Sequence, residues 1–328
     1  FVPSKKSFLS GKESRIITVR KHKKAWLIGI LSVIGVMVAG LVGASLYFYQ
    51  YAFVPSKKSF LSGKESRIIT DSKVWLKSVH KETWTEQAAG DKLKLVADYV
   101  PAAKPTNKTI VVAHGYMTNK EYMAPQIKMF HDAGFNVLAP DDRGQGQSEG
   151  NYIGYGWPDR LDYLKWINQI IKKQGKQSQI ALYGVSMGGA TVMYLSGEKL
   201  PPQVKSIVED CGYTSIIDEL AYQAKSMFNI PKWPLVPAVA LTATFKAGYN
   251  VFDASAIDAL HKNTRPILFI HGSKDTFVPT KMVYQNYRAA TKSKKALWVV
   301  KGAAHARSFP DHQKAYTKRV VGWFNANW

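Results

Sequence analysis

Residues 179–194 read QIALYGVSMGGATVMY, and this stretch decides the fold of the chain. The apolar run at 180–183 predicts a buried strand, and the small residues from Gly188 onward predict the start of a helix. Between them lies a Gly-x-Ser-x-Gly pattern centred on Ser186, which is typical of a nucleophile elbow. Such an elbow is a strained turn that lifts a serine hydroxyl to a helix N-terminus, where glycines avoid Cβ clashes. A glycine-rich turn without function has the same five letters, so the interpretation depends on the rest of the chain.

A base and an acid follow this serine at the ends of later strands. A serine hydroxyl becomes a nucleophile when a base takes its proton and an acid orients the base. Around such an elbow the chain order is serine, acid, histidine. Asp275 follows an apolar run at 266–270 and His305 follows another at 296–300, where open α/β sheets place their sites. We therefore predict a catalytic triad of Ser186, Asp275 and His305.

Two members of this triad also have simpler interpretations. Asp275 by itself is a turn aspartate, and His305 by itself is a histidine of a surface loop. Asp210, at the end of the apolar run at 206–209, is a competing acid one strand earlier. The order of the three residues, each after a strand, favours the triad.

Strand and helix patterns alternate through most of the chain. Short apolar runs bounded by Gly, Pro and Asp predict strands that are buried on both faces. They lie at 77–84 and 93–99, expected as an antiparallel pair, and at 109–113, 136–139, 179–183, 206–209, 266–270 and 296–300. Helical patterns fall between them at about 120–132, 157–173, 187–199, 281–291 and 311–325. The alternation predicts an α/β fold with a mostly parallel eight-stranded sheet and helices on both faces.

Residues 212–262 interrupt this alternation and predict a small helical cap. Helical patterns at 215–228 and about 238–245 flank a proline-rich stretch. Aromatic residues here are candidates for lining an acyl pocket or for packing the cap onto the core: Phe228, Trp233, Phe245, Tyr249 and Phe252. Glu219 and Lys225 are candidates for holding a peptide terminus.

Over roughly residues 75–328 the chain resembles the α/β-hydrolase superfamily. Residues 111–116, VVAHGY, resemble the strand and His-Gly-x segment of that family. Residues 141–148, DDRGQGQS, resemble its Asp-x-Arg-Gly-x-Gly-x-Ser loop, with Gln145 where histidine is usual. That loop is mainly architectural, so the departure bears little on catalysis. The resemblance is nearest to exported or membrane-tethered serine hydrolases of Gram-positive bacteria, close to the esterase and serine aminopeptidase branches.

The resemblance also implies roles for single residues. It implies that the backbone N–H groups of Tyr116 and Met187 form the oxyanion hole. It implies structural roles for His114 and for His271, the latter bracing the loop that carries the acid.

Composition narrows the classes of partner. A chain of 328 residues with 46% hydrophobic residues can bury a substantial core, and its net charge of +22 favours anionic surroundings. An anionic lipid surface or cell wall fits better than nucleic acid, because no basic run is interleaved with aromatic residues. The single cysteine, Cys211, excludes an intrachain disulfide and is expected to be buried and inert. No zinc-ligand spacing or phosphate-binding loop occurs, so we expect no cofactor and no metal.

Residues 25–49 form an uncharged apolar run. At 1.5 Å per residue this run reaches about 37 Å, enough to span a bilayer core of about 30 Å. The basic segment at 19–24 precedes it, and the positive-inside rule predicts a cytoplasmic flank and an extracellular catalytic domain. We therefore predict a single-pass signal anchor in the cell membrane. A signal peptide cleaved after residues 42–44 and a buried core helix are the alternatives. Aromatic residues at both ends are predicted interfacial anchors: Trp26, Tyr47, Tyr49 and Tyr51.

An identical 18-residue sequence occurs twice. Residues 1–18 read FVPSKKSFLSGKESRIIT, and residues 53–70 read the same. Solenoid repeats diverge and number three or more, so this is not a structural repeat. We interpret the first copy as an artefact of cloning or sequence assembly, and the second as part of a linker at 50–74 before a catalytic domain at 75–328.

Together these features predict an extracellular, membrane-anchored serine hydrolase that cleaves carboxylic esters through an acyl-enzyme. The expected substrate is a small-molecule acyl ester or a short peptide. A serine peptidase of the aminopeptidase type, or an acyltransferase, on the same triad is the alternative. A non-catalytic surface protein is a third reading, but it requires a broken triad and none of the three positions is missing.

Overall fold

The structure is a computed structural model that describes residues 5–56, 58 and 65–328, with side chains from residue 15 onward except that of residue 17. Residues 1–4 of the first copy of the duplicated segment, and residues 57 and 59–64 of the predicted linker, therefore lie outside the described residues. The described strands are β1 (Glu82–Gln87), β2 (Lys94–Val100), β3 (Lys108–Ala113), β4 (Asn136–Pro140), β5 (Gln179–Val185), β6 (Val204–Asp210), β7 (Ile267–Gly272) and β8 (Lys295–Val300).

These strands form one sheet with the order β1-β2-β4-β3-β5-β6-β7-β8. β2 pairs antiparallel with both β1 and β4, and the pairs from β4 through β8 are parallel. The predicted fold class, with its mostly parallel eight-stranded sheet, is confirmed. Parallel pairing brings the carboxyl ends of β5, β7 and β8 to one edge of the sheet, so the loops after these strands meet there.

Helices cover both faces of the sheet. They are α1 (Lys5–Phe53), α2 (Arg67–Ser78), α3 (Ala124–Asp132), α4 (Asp159–Gln174), α5 (Met187–Ser196), α6 (Ile216–Phe228), α7 (Leu235–Ala247), α8 (Ala256–Lys262), α9 (Lys281–Ala289), α10 (Ser308–Asp311) and α11 (Gln313–Asn325). The core on one face contains residues of α4, α5, α7 and the end of α1. The core on the other face contains residues of α2, α3 and α11.

The first predicted strand, residues 77–84, is wrong over its first part. Residues 77 and 78 end α2, and β1 begins at Glu82. Val74-Trp75-Leu76 has a β-prone composition, but Ser72 and Leu76 are buried four residues apart. This spacing places them on one side of a helix, and α2 packs there against α3. Tertiary packing has thus outweighed local strand propensity.

The apolar segment forms part of one continuous helix. Within the described residues, Thr18–Phe53 is the stretch whose length and composition suffice to cross a membrane. Side chains at 25–40 are exposed, whereas Ser45, Tyr49 and Phe53 are buried against the rest of the molecule. The region at 50–53, expected to be linker, is therefore the packed end of α1.

The region predicted as a cap lies between β6 and β7. It contains α6, α7, a 3₁₀ turn at Val251–Asp253 and α8. Ser215 caps α6 by accepting a hydrogen bond from the Asp218 amide, and Asn229 ends that helix in a left-handed conformation. The end of α1 lies beside α7, where the Ser45 and Thr242 hydroxyl oxygens are 3.0 Å apart.

Candidate active site

Ser186 occupies a strained turn between β5 and α5. Its backbone has φ 59° and ψ −117°, a conformation that L-residues rarely adopt. A Cβ on Gly184 would collide with the carbonyl oxygen of Gly188, and one on Gly188 would collide with that of Ala113. The Ser186 amide donates to the Asp210 carbonyl at 2.8 Å, which ties the turn to the neighbouring strand. These constraints explain why glycine flanks the serine on both sides.

The structure brings Ser186, His305 and Asp275 together although they are far apart in the chain. The Ser186 Oγ lies 2.8 Å from His305 Nε2. The other ring nitrogen of His305, Nδ1, lies 2.8 Å from Asp275 Oδ2. The imidazole can therefore accept the serine proton at Nε2 while Nδ1–H donates to the carboxylate, which is the geometry that general-base activation requires.

Asp275 is held as a carboxylate. Its Oδ1 accepts hydrogen bonds from the amides of Phe277 and Val278, both at 2.9 Å. Burial alone would raise the pKa of Asp275, but hydrogen bonds and charge interactions with His271 and His305 lower it to about 2. His271 Nε2 lies 2.9 Å from the Val278 carbonyl oxygen and 3.3 Å from Asp275 Oδ2. His271 thus braces the acid loop.

Asp210, the competing acid, has other partners. Its Oδ2 accepts from the Tyr316 hydroxyl at 2.7 Å, and its Oδ1 accepts from the Ser308 hydroxyl at 3.3 Å. Burial raises the pKa of this carboxyl, in contrast to that of Asp275. The hydrogen bond to His305 Nδ1 is made by Asp275.

The two amides expected at an oxyanion hole lie beside the serine. Met187 is the first residue of α5, so its N–H has no acceptor within that helix. Tyr116 follows Gly115, where a Cβ would lie 3.6 Å from the Cβ of Ser186. Within the described part of the chain, neither amide donates a hydrogen bond to another residue. Both are free to face an anionic oxygen at the serine.

His114 supports this loop. It is fully buried, and its Nε2 accepts from the Asp142 amide at 3.0 Å while its Nδ1 lies 2.8 Å from the Gly115 carbonyl oxygen. Burial lowers the pKa of His114, so the ring stays neutral. Nearby, Arg143 forms a two-pronged pair with Asp162, at 2.6 Å and 2.8 Å. These residues shape the scaffold and do not reach Ser186.

An apolar pocket opens over Ser186. Its lining includes Tyr116, Tyr155 and Tyr213 of the sheet domain, Phe277 and Val278 of the acid loop, and residues of α1, α6 and α7. From α1 come Phe48, Tyr51 and Ala52, and from α7 come Leu235, Val236 and Val239. We call these six residues the apolar wall.

Comparison with known proteins agrees with this architecture. Residues 104–225 match the family model described as serine aminopeptidase, S33. The esterase Pf2001 of Pyrococcus furiosus has a similar structure, with a TM-score of 0.65 and 22% identity over 84% of this chain and 98% of that one. An acylaminoacyl peptidase of Pyrococcus horikoshii superposes with a TM-score of 0.57 and 18% identity, over 77% of this chain and 43% of that one. The chain has the α/β-hydrolase fold.

Two bacterial proteins resemble this chain in sequence. The uncharacterized protein YqkD of Bacillus subtilis (strain 168) is 28% identical over 228 residues, covering 69% of this chain and 73% of that protein. The uncharacterized protein YfhR of Escherichia coli (strain K12) is 25% identical over 242 residues, covering 72% and 78%. Both likenesses extend over most of the domain that carries the serine.

The aromatic residues of the cap divide into two groups. Phe228 lines the pocket, whereas Trp233, Phe245 and Phe252 are exposed. Tyr249 is not among the residues that line the pocket, and its hydroxyl donates to the Gly154 carbonyl at 3.1 Å. Of the five predicted pocket residues, Phe228 alone is therefore placed at the pocket.

Glu219 is the acidic group of the pocket lining. Its Oε1 accepts from Gln223 at 2.7 Å, and its buried Oε2 has no partner. Burial raises the pKa of Glu219 to about 8. At neutral pH this carboxyl is therefore protonated, and its Oε2 is a polar atom available to a ligand within a largely apolar lining. Lys225, predicted with it, bonds Asn229 at the surface instead.

One group of possible metal ligands occurs within the described residues. It consists of Cys211, Asp275 and His305, whose ligand atoms lie within 4.8 Å of one another. Both nitrogens of His305 already face Ser186 and Asp275. Burial raises the pKa of the Cys211 thiol well above its usual value, which disfavours the thiolate that metals require. The residues fit a proton-transfer chain better than a metal site.

The contribution of α1 to the pocket was not predicted from the sequence. The hydroxyls of Tyr116 and Tyr155 donate to the Ala52 carbonyl at 2.8 Å and 2.9 Å, and the Ile153 amide donates to the Phe53 carbonyl at 2.7 Å. These bonds satisfy the carbonyls that a helix end leaves unpaired. The run of aromatic residues at 47–53 was the available signal, but it was interpreted as an interfacial anchor.

Proposed function

We propose that this α/β hydrolase is a membrane-anchored serine hydrolase that cleaves carboxylic esters. The observation that carries the proposal is the chain of two 2.8 Å contacts from Ser186 Oγ through His305 to Asp275. In the proposed reaction Ser186 Oγ attacks the ester carbonyl while His305 Nε2 takes its proton. The same imidazolium then protonates the departing alcohol. Asp275 orients the imidazole and stabilises its charged form.

The amides of Tyr116 and Met187 are proposed to bind the negative oxygen of the tetrahedral intermediates. Removal of one such donor costs about 3 to 4 kcal/mol of transition-state stabilisation in related chemistry. A water molecule then attacks the acyl-enzyme, and His305 takes its proton. The acid is released and the free serine is restored.

The lining of the pocket favours esters. Apart from Ser186, Glu219 and Gln223, it consists of aliphatic and aromatic side chains, which suit an acyl chain. Among the residues that the structure describes, the lining offers no cation for a substrate carboxylate.

A serine aminopeptidase is the second candidate. The unpartnered Oε2 of Glu219 and the match to the serine aminopeptidase family model favour it. Burial favours the protonated form of Glu219, so a bound substrate ammonium would have to lower the pKa of this carboxyl for the two charges to pair.

The test uses a fluorophosphonate probe and two classes of substrate. We expect Ser186→Ala to abolish probe labelling and to lower p-nitrophenyl acetate turnover by at least about 10⁴-fold. Ser206→Ala, which changes a buried serine on the neighbouring strand, is the matched control and should keep both probe labelling and turnover. Undiminished turnover in Ser186→Ala contradicts the proposal. Faster cleavage of aminoacyl anilides than of esters, lost in Glu219→Gln, assigns the peptidase instead.

We further propose that residues 25–49 anchor the protein with its catalytic domain outside the cell. The exposed apolar surface of 25–40 supports insertion in a membrane, and the basic flank at 19–24 supports this orientation. Protease added to intact cells should degrade the catalytic domain, and the mature protein should keep the helix. A mature N-terminus at Ser45 contradicts the anchor and indicates a cleaved signal peptide.

A further inference from the structure

The end of α1 fixes how far the pocket lies from a membrane. Side chains from residue 25 to residue 40 are exposed, and the first buried side chain is Ser45, followed on the same face of the helix by Tyr49 and Phe53. The 20 residues at 25–44 span about 30 Å of helix, which matches the thickness of a bilayer core. The outer boundary of the hydrocarbon therefore falls near Ala44, where the domain begins to pack on the helix.

The cap lies at this same level. The Ser45 and Thr242 hydroxyl oxygens are 3.0 Å apart, and the Lys246 Nζ lies 5.8 Å from the centre of the Tyr49 ring. The ring centres of Phe48 and Phe228 are 5.1 Å apart. α7 and the end of α6 are thus beside the first turn of α1 beyond the hydrocarbon.

The outer side of the cap carries large apolar side chains. Trp233 is 71% exposed, Leu241 51% and Phe245 80%. Leu241 and Phe245 are four residues apart on α7 and share one face of the helix. We call these three residues the cap face. Lys246, which is exposed next to Phe245, is placed to meet lipid phosphates.

The pocket opens next to the cap face. Its most exposed lining residues are Met227 and Phe228, at 39% each, so its mouth lies at the end of α6. Phe48 of α1 faces Phe228 there. Phe48 is four residues beyond Ala44, about 6 Å along the helix. An acyl chain can pass from the bilayer into the pocket along an apolar path.

We propose that the cap face lies in the outer interface of the membrane and that the substrate is an acyl ester dissolved in the bilayer. This inference rests on the proposed function and on the proposed anchor. Water adds across the ester bond: the acyl group leaves Ser186 as a carboxylic acid with the hydroxyl of the water, and the alcohol leaves with the proton from His305. Helices that lie in a membrane interface have an apolar face flanked by basic side chains, and the cap has both features.

The test compares two substrates on the full chain reconstituted in vesicles of phosphatidylcholine and phosphatidylglycerol. 4-Methylumbelliferyl dodecanoate partitions into the bilayer, and 4-methylumbelliferyl acetate stays in water. The double variant Leu241→Glu, Phe245→Glu should cleave the dodecanoate at least tenfold more slowly and the acetate within twofold of the wild-type rate. Val74→Glu, which replaces a 69% exposed residue on the opposite face of the sheet, is the control and should keep both rates.

The outcomes separate the two proposals. Equal dodecanoate rates in the double variant and the control overturn the inference, as does cleavage of acetate without dodecanoate by the wild type. Both results leave the serine hydrolase intact. Failure to cleave either ester, together with failure of fluorophosphonate labelling, overturns the proposed function and with it the inference.

A second measurement locates the cap face without activity. Cys211 is fully buried, so a nitroxide on Phe245→Cys reports from that position alone. In phospholipid nanodiscs, this label should collide more with oxygen than with a water-soluble nickel complex, and a label on Val74→Cys should show the reverse. Preferential collision of the position-245 label with the nickel complex overturns the inference.

Discussion

The loops after β5, β7 and β8 and the apolar wall meet at Ser186 but are built in different ways. In the loops, backbone constraints and short hydrogen bonds fix each side chain, as shown by the positive φ of Ser186 and the two amides that bind Asp275. The wall joins the end of α1 to α7 of the cap through apolar contacts, and the carbonyl of Ala52 ties α1 to Tyr116 and Tyr155. Local geometry therefore determines the chemistry, whereas tertiary packing determines what enters the pocket.

The largest effect is expected at the acid. Asp275→Asn removes the carboxylate that selects the tautomer of His305, and we expect kcat to fall by about 10⁴-fold. Asp210→Asn is the matched control, and its kcat should stay within tenfold because Asp210 bonds Tyr316 and Ser308 instead. Steady-state kinetics on p-nitrophenyl acetate measures both. A larger fall in Asp210→Asn would assign the acid to the earlier strand.

The next effect tests the backbone of the elbow. Gly188→Ala places a Cβ against the carbonyl oxygen of Ala113, so we expect a loss of about 3 kcal/mol or more in the free energy of unfolding. Gly322→Ala on α11, where no atom lies within 4 Å of the new Cβ, should be neutral or stabilising. Urea unfolding compares the two, and equal stabilities would show that the elbow tolerates a methyl group.

The pKa of Asp275 predicts a smaller, pH-dependent effect. A folded pKa of about 2 lies below the usual value, so the carboxylate stabilises the fold above about pH 4 and this contribution is lost as pH falls through about 2. We expect the wild type to lose about 2 kcal/mol more stability than Asp275→Asn between pH 4 and pH 2. Parallel stability curves for the two proteins over this range would contradict the low pKa.

The smallest effect is expected at the apolar wall. Tyr116→Phe with Tyr155→Phe removes both donors to the Ala52 carbonyl, which should cost about 1 to 3 kcal/mol. Tyr284→Phe, on an exposed side chain, should change stability by less than about 0.5 kcal/mol. We expect KM for long acyl chains to rise while kcat for acetate changes little. A fall in acetate kcat comparable to that of Asp275→Asn would remove the distinction between wall and loops.

The sequence was informative where one residue meets a local requirement. Gly184 and Gly188 indicate a turn that has no room for a Cβ atom at either position. The position of His305 after an apolar run indicates a loop at the end of a strand. Residues 77 and 78, the end of α2, were mistaken for the start of a strand, because the packing of α2 on α3 that selects the helix is not visible in the local sequence. The end of α1 was missed for a related reason, since an apolar helix that meets lipid and one that meets a cap have the same composition.

The position of Ala52 has a consequence for any shortened form of the protein. A water-soluble fragment that starts after Phe53 lacks Phe48, Tyr51 and Ala52, and it opens one side of the cavity to solvent. Leu235, Val236 and Val239 would then face water, and the hydroxyl groups of two tyrosines would lose their acceptor. Such a fragment keeps the residues of proton transfer but not the surface that selects among acyl chains, so chain-length preferences measured on it would describe a different cavity.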